Sequence, residues 1–132
     1  MESKLANAFD ELEVSQQFAV GNDLVFIRNF QASLTDLFKK KVYTAAETAY
    51  CDRFSDSTLH YASTWAAKEA VYKAVKQLHP ATLGWKKIEI TREKLGGRPH
   101  VTLHKHPGNF KISLTISHDG DYVWAVAFVE NI

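Results

Sequence analysis

The chain has 132 residues, 45% of them apolar, and 16 basic against 15 acidic side chains leave a formal net charge of +1. This is enough apolar mass for one domain with a core, and the balanced charge excludes the global positive field of a nucleic-acid binder, so an anionic ligand must be met by a local cluster. The single cysteine, Cys51, excludes an intrachain disulfide framework and a cysteine-rich metal site and suits a reducing compartment, with no membrane-spanning run and the cytoplasm as the expected location.

Residues 1–17 read as a short helix through Leu5, Ala8, Phe9 and Leu12 or as a loose arm, and both stay open; the folded domain is expected over 18–132. Phe18 to Ile27 reads as a strand with Phe18, Val20 and Leu24 on one face and Ala19, Gly21, Asp23 and Val25 on the other. An acid in so apolar a run needs a cation or a hydrogen-bond donor if it is buried, although an edge or turn position explains a lone Asp more simply. Ser33 to Val42 reads as a short helix ending in Lys39-Lys40-Lys41, where cations suit the C-terminal dipole and a solvated helix end is the simplest account. Thr44-Ala45-Ala46-Glu47 has the spacing of a capping box and opens a further helix towards Tyr50.

Asp56 or Ser57 then caps a long central helix that runs to about Leu78, before Pro80. At about 100° per residue, Ala66, Ala67, Ala70, Val71, Ala74, Val75 and Leu78 form one apolar face, with Glu69, Lys73 and Lys76 just outside its edge. On this stretch alone a solvated Glu/Lys pair, worth about 0.2–0.5 kcal/mol, is the simpler reading. After Pro80 the pattern changes to strands. Trp85 to Thr91 and His100 to Leu103 flank the turn-rich Gly96-Gly97-Arg98-Pro99, and His104 to Asn109 reads as a solvated loop. Lys111 to Ser117 alternates cleanly, His118 to Asp121 reads as a turn, and Tyr122 to Val129 returns as a strand apolar on both faces. The order predicts an α+β fold, a long helix packed on an antiparallel sheet.

Asp23, Glu69, Lys73 and His118 are the ionisable groups beside apolar segments at element ends or edges. Two carboxylates converging from a strand and a helix suit Mg²⁺, which keeps waters and takes substrate phosphate oxygens. A lysine one turn beyond Glu69 neutralises the same phosphate, and a histidine hydrogen-bonds it or moves a proton. Together these make a kit for phosphoryl transfer or pyrophosphate cleavage, if the chain brings them together.

Over about residues 18–130 the chain resembles the holo-[acyl-carrier-protein] synthases, the small 4′-phosphopantetheinyl transferases. Gly21-Asn22-Asp23-Leu24-Val25 matches the family's G-I-D-[IL]-V, Tyr43 to Glu47 its [FL]-T-x-x-E, and Trp65 to Ala74 its [FW]-A-A-K-E-A-x-x-K-A. Ser113 to His118 matches V-S-[IL]-[ST]-H, and Gly97-Arg98-Pro99 the G-[KR]-P turn. The ordered set is specific where one motif is weak. The resemblance implies Mg-dependent transfer of 4′-phosphopantetheine from coenzyme A to a serine of an apo acyl carrier protein, with release of 3′,5′-ADP. It implies Asp23 and Glu69 as metal ligands, Glu69 also aiding deprotonation of the serine, and Lys73 on the attacked phosphate. It further places His118 against the coenzyme A diphosphate or in proton movement, and Lys68 at the nucleotide end. It implies a homotrimer with active sites between protomers, which would cover the second apolar face of the last strand.

The chain departs from that pattern at Asn22, a polar residue on an expected core-facing position, and at Thr64, where many members have an arginine. Lys76 to His79 replaces a glycine-rich loop, and the segment before Lys111 is short. A degenerate member that binds coenzyme A or a carrier protein without transfer, or a trimeric scaffold, remains the alternative to the enzyme.

Overall fold

The computed structural model describes residues 17–80, 82–106 and 108–132. The expected arm or short helix therefore lies, Gln17 apart, outside the described residues. Strand β1 (Phe18–Phe26) runs directly into α1 (Ile27–Ser33), and α2 (Asp36–Val42), α3 (Ala45–Cys51) and the 22-residue α4 (Ser57–Leu78) follow. A 3₁₀ turn (Trp85–Lys87) leads into the hairpin β2 (Ile88–Arg92) and β3 (Pro99–Leu103), and β4 (Phe110–Asp119) and β5 (Tyr122–Asn131) close the chain. This is the expected α+β architecture. The one helix that sequence periodicity misses is α1, because Phe26-Ile27 continues the apolar run of β1 without a breaker.

The described strands form two antiparallel sheets, β1-β5-β4 and β2-β3. Register places Ala19, Gly21, Asp23 and Val25 of β1 across from Val129, Ala127, Ala125 and Val123 of β5, all on the face that α4 covers. On α4, Ala66, Ala70, Val71 and Ala74 have no exposed surface. The alanines are small for a reason visible at Gly21. A Cβ built there would stand 2.0 Å from the Ala70 carbonyl oxygen and 2.8 Å from the Ala74 nitrogen, so β1 lies on α4 at backbone distance. Gly120, at φ +57°, supplies the left-handed residue of the two-residue loop between Asp119 and Tyr122.

Among the described residues the opposite sheet face carries exposed apolar side chains. Leu24 is 61% exposed and Phe18 54%, with Val20, Tyr122 and Trp124 also exposed. Ring pairs Phe18–Phe128 and Phe26–Tyr122, at 5.3 and 5.0 Å, line the same face. Asn22 points here and not into the core, contrary to the sequence expectation, and its Oδ1 accepts from Trp124 Nε1 at 3.3 Å. A contiguous apolar face of this kind is rare on monomers.

Gly21→Ala forces one backbone off the other, since the atoms a methyl would meet, Ala70 O and Ala74 N, belong to the backbone and not to a movable side chain. Expected is a loss of about 3 kcal/mol or more, a fall of roughly 10 °C in Tm, read by circular dichroism. An unchanged Tm would refute the close approach.

Candidate active site

The Gly21 contact decides what lies next to α4. Two residues further along β1, on the same face, Asp23 comes opposite the turn that carries Glu69 and Lys73. Lys73 Nζ donates to Asp23 Oδ1 at 2.9 Å and to the Asn22 carbonyl at 3.1 Å. The Asp23 side chain is only 11% exposed, and that of Lys73 is half exposed. Glu69 is half-buried beside Asp23. Burial, then a hydrogen bond to Asp23 and the charge of Asp23, push the Glu69 carboxyl up to about 7, against the lowering effect of Lys73. A neighbouring carboxylate and burial both favour the protonated form of Glu69 over its charged form.

The pair stands in a cleft of about 450 Å³ whose other walls include Phe26, Phe30, Phe38 and Trp65, with Asn29 and Ser33 as polar edges. The aromatic wall is continuous: Phe30 packs edge-on against Phe38 at 5.8 Å, Phe38 against Trp65 at 5.2 Å, and Trp65 against Trp85 at 4.8 Å. Sequence reasoning missed this wall. The available signal was Ile27, Phe30, Leu34 and Phe38, spaced at helical intervals after the strand.

The donor set fits Mg²⁺. Asp23 and Glu69 offer hard oxygens, and no group of three or more His, Cys, Asp or Glu suited to a metal occurs among the described residues. The remaining coordination would fall to water and ligand oxygens, as Mg²⁺ prefers. Cys51 is buried, and burial pushes its thiol up to about 11, so it offers no ready nucleophile.

Lys68, expected at a nucleotide, is not in the cleft. It has no exposed surface, and its Nζ donates to the carbonyls of Val42, Trp85 and Ile88 at 2.9, 2.8 and 2.8 Å and meets Glu47 Oε1 at 2.7 Å. The physical reason is helix rotation: one residue from Glu69 turns the side chain about 100°, away from the cleft and under α3 and β2. Glu47 is as buried. It completes the expected capping box with Thr44, a feature worth about 1 kcal/mol, and its Oε2 accepts from Ile90 N at 2.8 Å. Burial pushes Glu47 up and Lys68 down, each opposed by the other's charge. Donors alone surround the carboxylate and acceptors alone surround the ammonium, which matches the ionised pair.

His118 is a strand residue, not a turn residue, paired with Val123 and exposed. It lines a second cavity of about 410 Å³ with Asn22, Leu24, Ser117, Asp119, Tyr122 and Trp124, next to the open face. The chain thus joins Asp23, Glu69 and Lys73 and leaves His118 at a neighbouring cavity, with Leu24 lining both. Lys76 donates to Tyr72 Oη at 3.1 Å. Thr64 is buried, its hydroxyl donating to the His60 carbonyl at 2.9 Å, and Arg92 lines the same small cavity as Thr64.

The family model of the 4′-phosphopantetheinyl transferase superfamily matches residues 19–127. The holo-[acyl-carrier-protein] synthase of Chlorobaculum parvum is 36% identical over 114 residues, 84% of this chain and 97% of that protein. A part of the fatty acid synthase alpha subunit hexA of Dothistroma septosporum is 38% identical over 119 residues, 82% of this chain and 7% of that protein. Among solved structures, the Chronobacterium ammoniagenes ACPS-CoA complex aligns with a TM-score of 0.75 and 29% identity, covering 89% of this chain and 99% of that one.

The raised Glu69 carboxyl has a measurable consequence. Between about pH 4.5 and about 7 the folded, metal-free chain holds a proton that the unfolded chain has released. This group's contribution to stability is therefore full below that window and is lost as pH rises through it. Tm measured against pH in chelator should fall less steeply there for Glu69→Gln than for the parent, and superimposable slopes would refute the raised Glu69 carboxyl.

Proposed function

Because the chain belongs to the 4′-phosphopantetheinyl transferase superfamily, we propose that its cleft moves 4′-phosphopantetheine from coenzyme A to a serine hydroxyl of an acyl carrier protein, with Mg²⁺ required and 3′,5′-ADP released. The observation that carries this reading is the convergence of Glu69 and Lys73 on Asp23, with both acids lining the cleft and each of the three within a segment that matches the family pattern. In the transfer, the serine oxygen bonds to the pantetheine-bearing phosphorus, the bridging P–O bond of the diphosphate breaks, and the serine proton leaves to Glu69. Lys73 donates hydrogen bonds to the phosphate that is attacked, and Asp23 holds Lys73 in place from the strand side. Mg²⁺, held by Asp23 and Glu69, would supply neutralisation of the diphosphate charge. Lys68 has no part at the nucleotide in this scheme.

The assembly we propose is a homotrimer. Its support is the open face of β1 and β5, together with a His118 that stands beside that face and outside its own chain's acid cleft. A second copy seated on the face would bring its own groups to the cleft edge at Leu24, so that His118 of one protomer serves the diphosphate bound by its neighbour.

Mixing the protein with apo carrier protein, coenzyme A and Mg²⁺ and weighing the carrier tests the activity. A carrier heavier by one phosphopantetheine is expected; coenzyme A bound with no mass gain would instead identify a degenerate binder. Asp23→Ala and Glu69→Ala should each abolish turnover with the circular dichroism spectrum retained. Lys73→Ala should lower kcat by on the order of 10²-fold, the scale for losing one placed donor.

Light scattering behind size exclusion should give three times the chain mass of 14.9 kDa. A fully active sample at the single-chain mass would sink the shared site.

A further inference from the structure

Glu47 and Lys68 are a buried ion pair that the transfer scheme leaves without a role. A buried pair adds little to stability over apolar residues of the same volume, because desolvation offsets the attraction. Its geometry suggests another use. The Lys68 ammonium takes hold of the ends of three separate segments: Val42 at the close of α2, Trp85 in the 3₁₀ turn, and Ile88 at the start of β2. Glu47 ties the same ammonium to the first turn of α3 and, through Ile90, again to β2.

These segments carry or back the walls of the acid cleft. Helix α2 carries Phe38, which packs on Trp65, and Trp85 packs on both Trp65 and Tyr72 of α4, at 4.8 and 5.1 Å. Lys68 precedes Glu69 directly on α4. Its anchor fixes the rotation of the helix about its own axis, and the Gly21 contact fixes how closely β1 lies against it.

We propose that the Glu47–Lys68 pair is a positioning device for Glu69, holding α4 in the one rotation that lets Glu69 and Asp23 share a divalent cation; this rests on the metal reading of the preceding section. Loss of a group that orients a metal ligand typically lowers affinity or activity 10- to 100-fold, and that is the scale expected here.

The test is a cycle of Lys68→Met and Glu69→Gln, read by Mn²⁺ binding in electron paramagnetic resonance and by kcat and KM for coenzyme A. In the parent background, Lys68→Met should weaken Mn²⁺ binding about 10-fold and lower kcat by about as much or more, with KM for coenzyme A within roughly threefold. In the Glu69→Gln background it should change the residual Mn²⁺ affinity, left to Asp23, hardly at all, because the two residues act through one carboxyl. A general loosening of the fold would weaken both backgrounds equally, and that result overturns the proposal, as does full Mn²⁺ affinity in folded Lys68→Met. If Lys68→Met does not fold, Glu47→Gln, which removes the charge but keeps an acceptor, is subjected to the same cycle with the same two outcomes. A parent protein that transfers phosphopantetheine but binds no Mn²⁺ overturns the metal reading and this proposal together, whereas a parent that binds Mn²⁺ with a variant that binds it equally well overturns this proposal alone.

Discussion

One contact between two backbones sets the geometry on which everything else depends. With no side chain at Gly21, β1 settles onto α4 until strand and helix touch at Ala70 and Ala74. Any Cβ would lift the strand, and Asp23 would rise away from Glu69 and Lys73 with it. The alanine-rich face of α4 is the other half of the same constraint, since larger side chains at 66, 70 and 74 would hold the strand off as surely as a residue larger than glycine at 21. The place where Asp23, Glu69 and Lys73 meet is therefore built by removing atoms from the core beneath it.

What the sequence made legible follows from which forces act locally. The capping box at Thr44 and Glu47 and the long amphipathic helix to Leu78 depend on neighbours within a turn or two, and both are found where pattern places them. The alternation of β4 and the turn at Gly120 are equally local. Asp23, Glu69 and Lys73 could be nominated as polar groups in apolar settings, and the structure brings those three together.

The failures have one cause, that a side chain's surroundings depend on segments distant in sequence. Lys68 and Glu69 are adjacent letters of one motif, yet one is swallowed by three carbonyls and a carboxylate while the other meets the cleft. Nothing in the spacing says that Val42, Trp85 and Ile88 will offer their oxygens to the first. Asn22 was misplaced for a similar reason: β1 has two apolar faces, and only the packing of α4 decides which is inside. His118, given a turn by its Asp-Gly-Asp neighbours, stays in the strand because β5 pairs with it up to Asp119.

The pairing of β1 with β5 also bears on how such a chain comes off the ribosome. The first described strand finds its hydrogen-bonding partner about a hundred residues later, Asp23 lying across from Ala125, so the sheet is dominated by contacts of long sequence separation. Helices α1 to α4 depend on local contacts, whereas the hydrogen-bonding partner of β1 exists only once the last strand has been synthesised. During that interval its Phe18, Val20 and Leu24 are available to any other unpaired strand. The same alternation that lets β1 meet a helix on one side and present an apolar face on the other gives the unpaired strand two apolar faces, so its exposure before β5 is made is a point at which such a chain can associate wrongly.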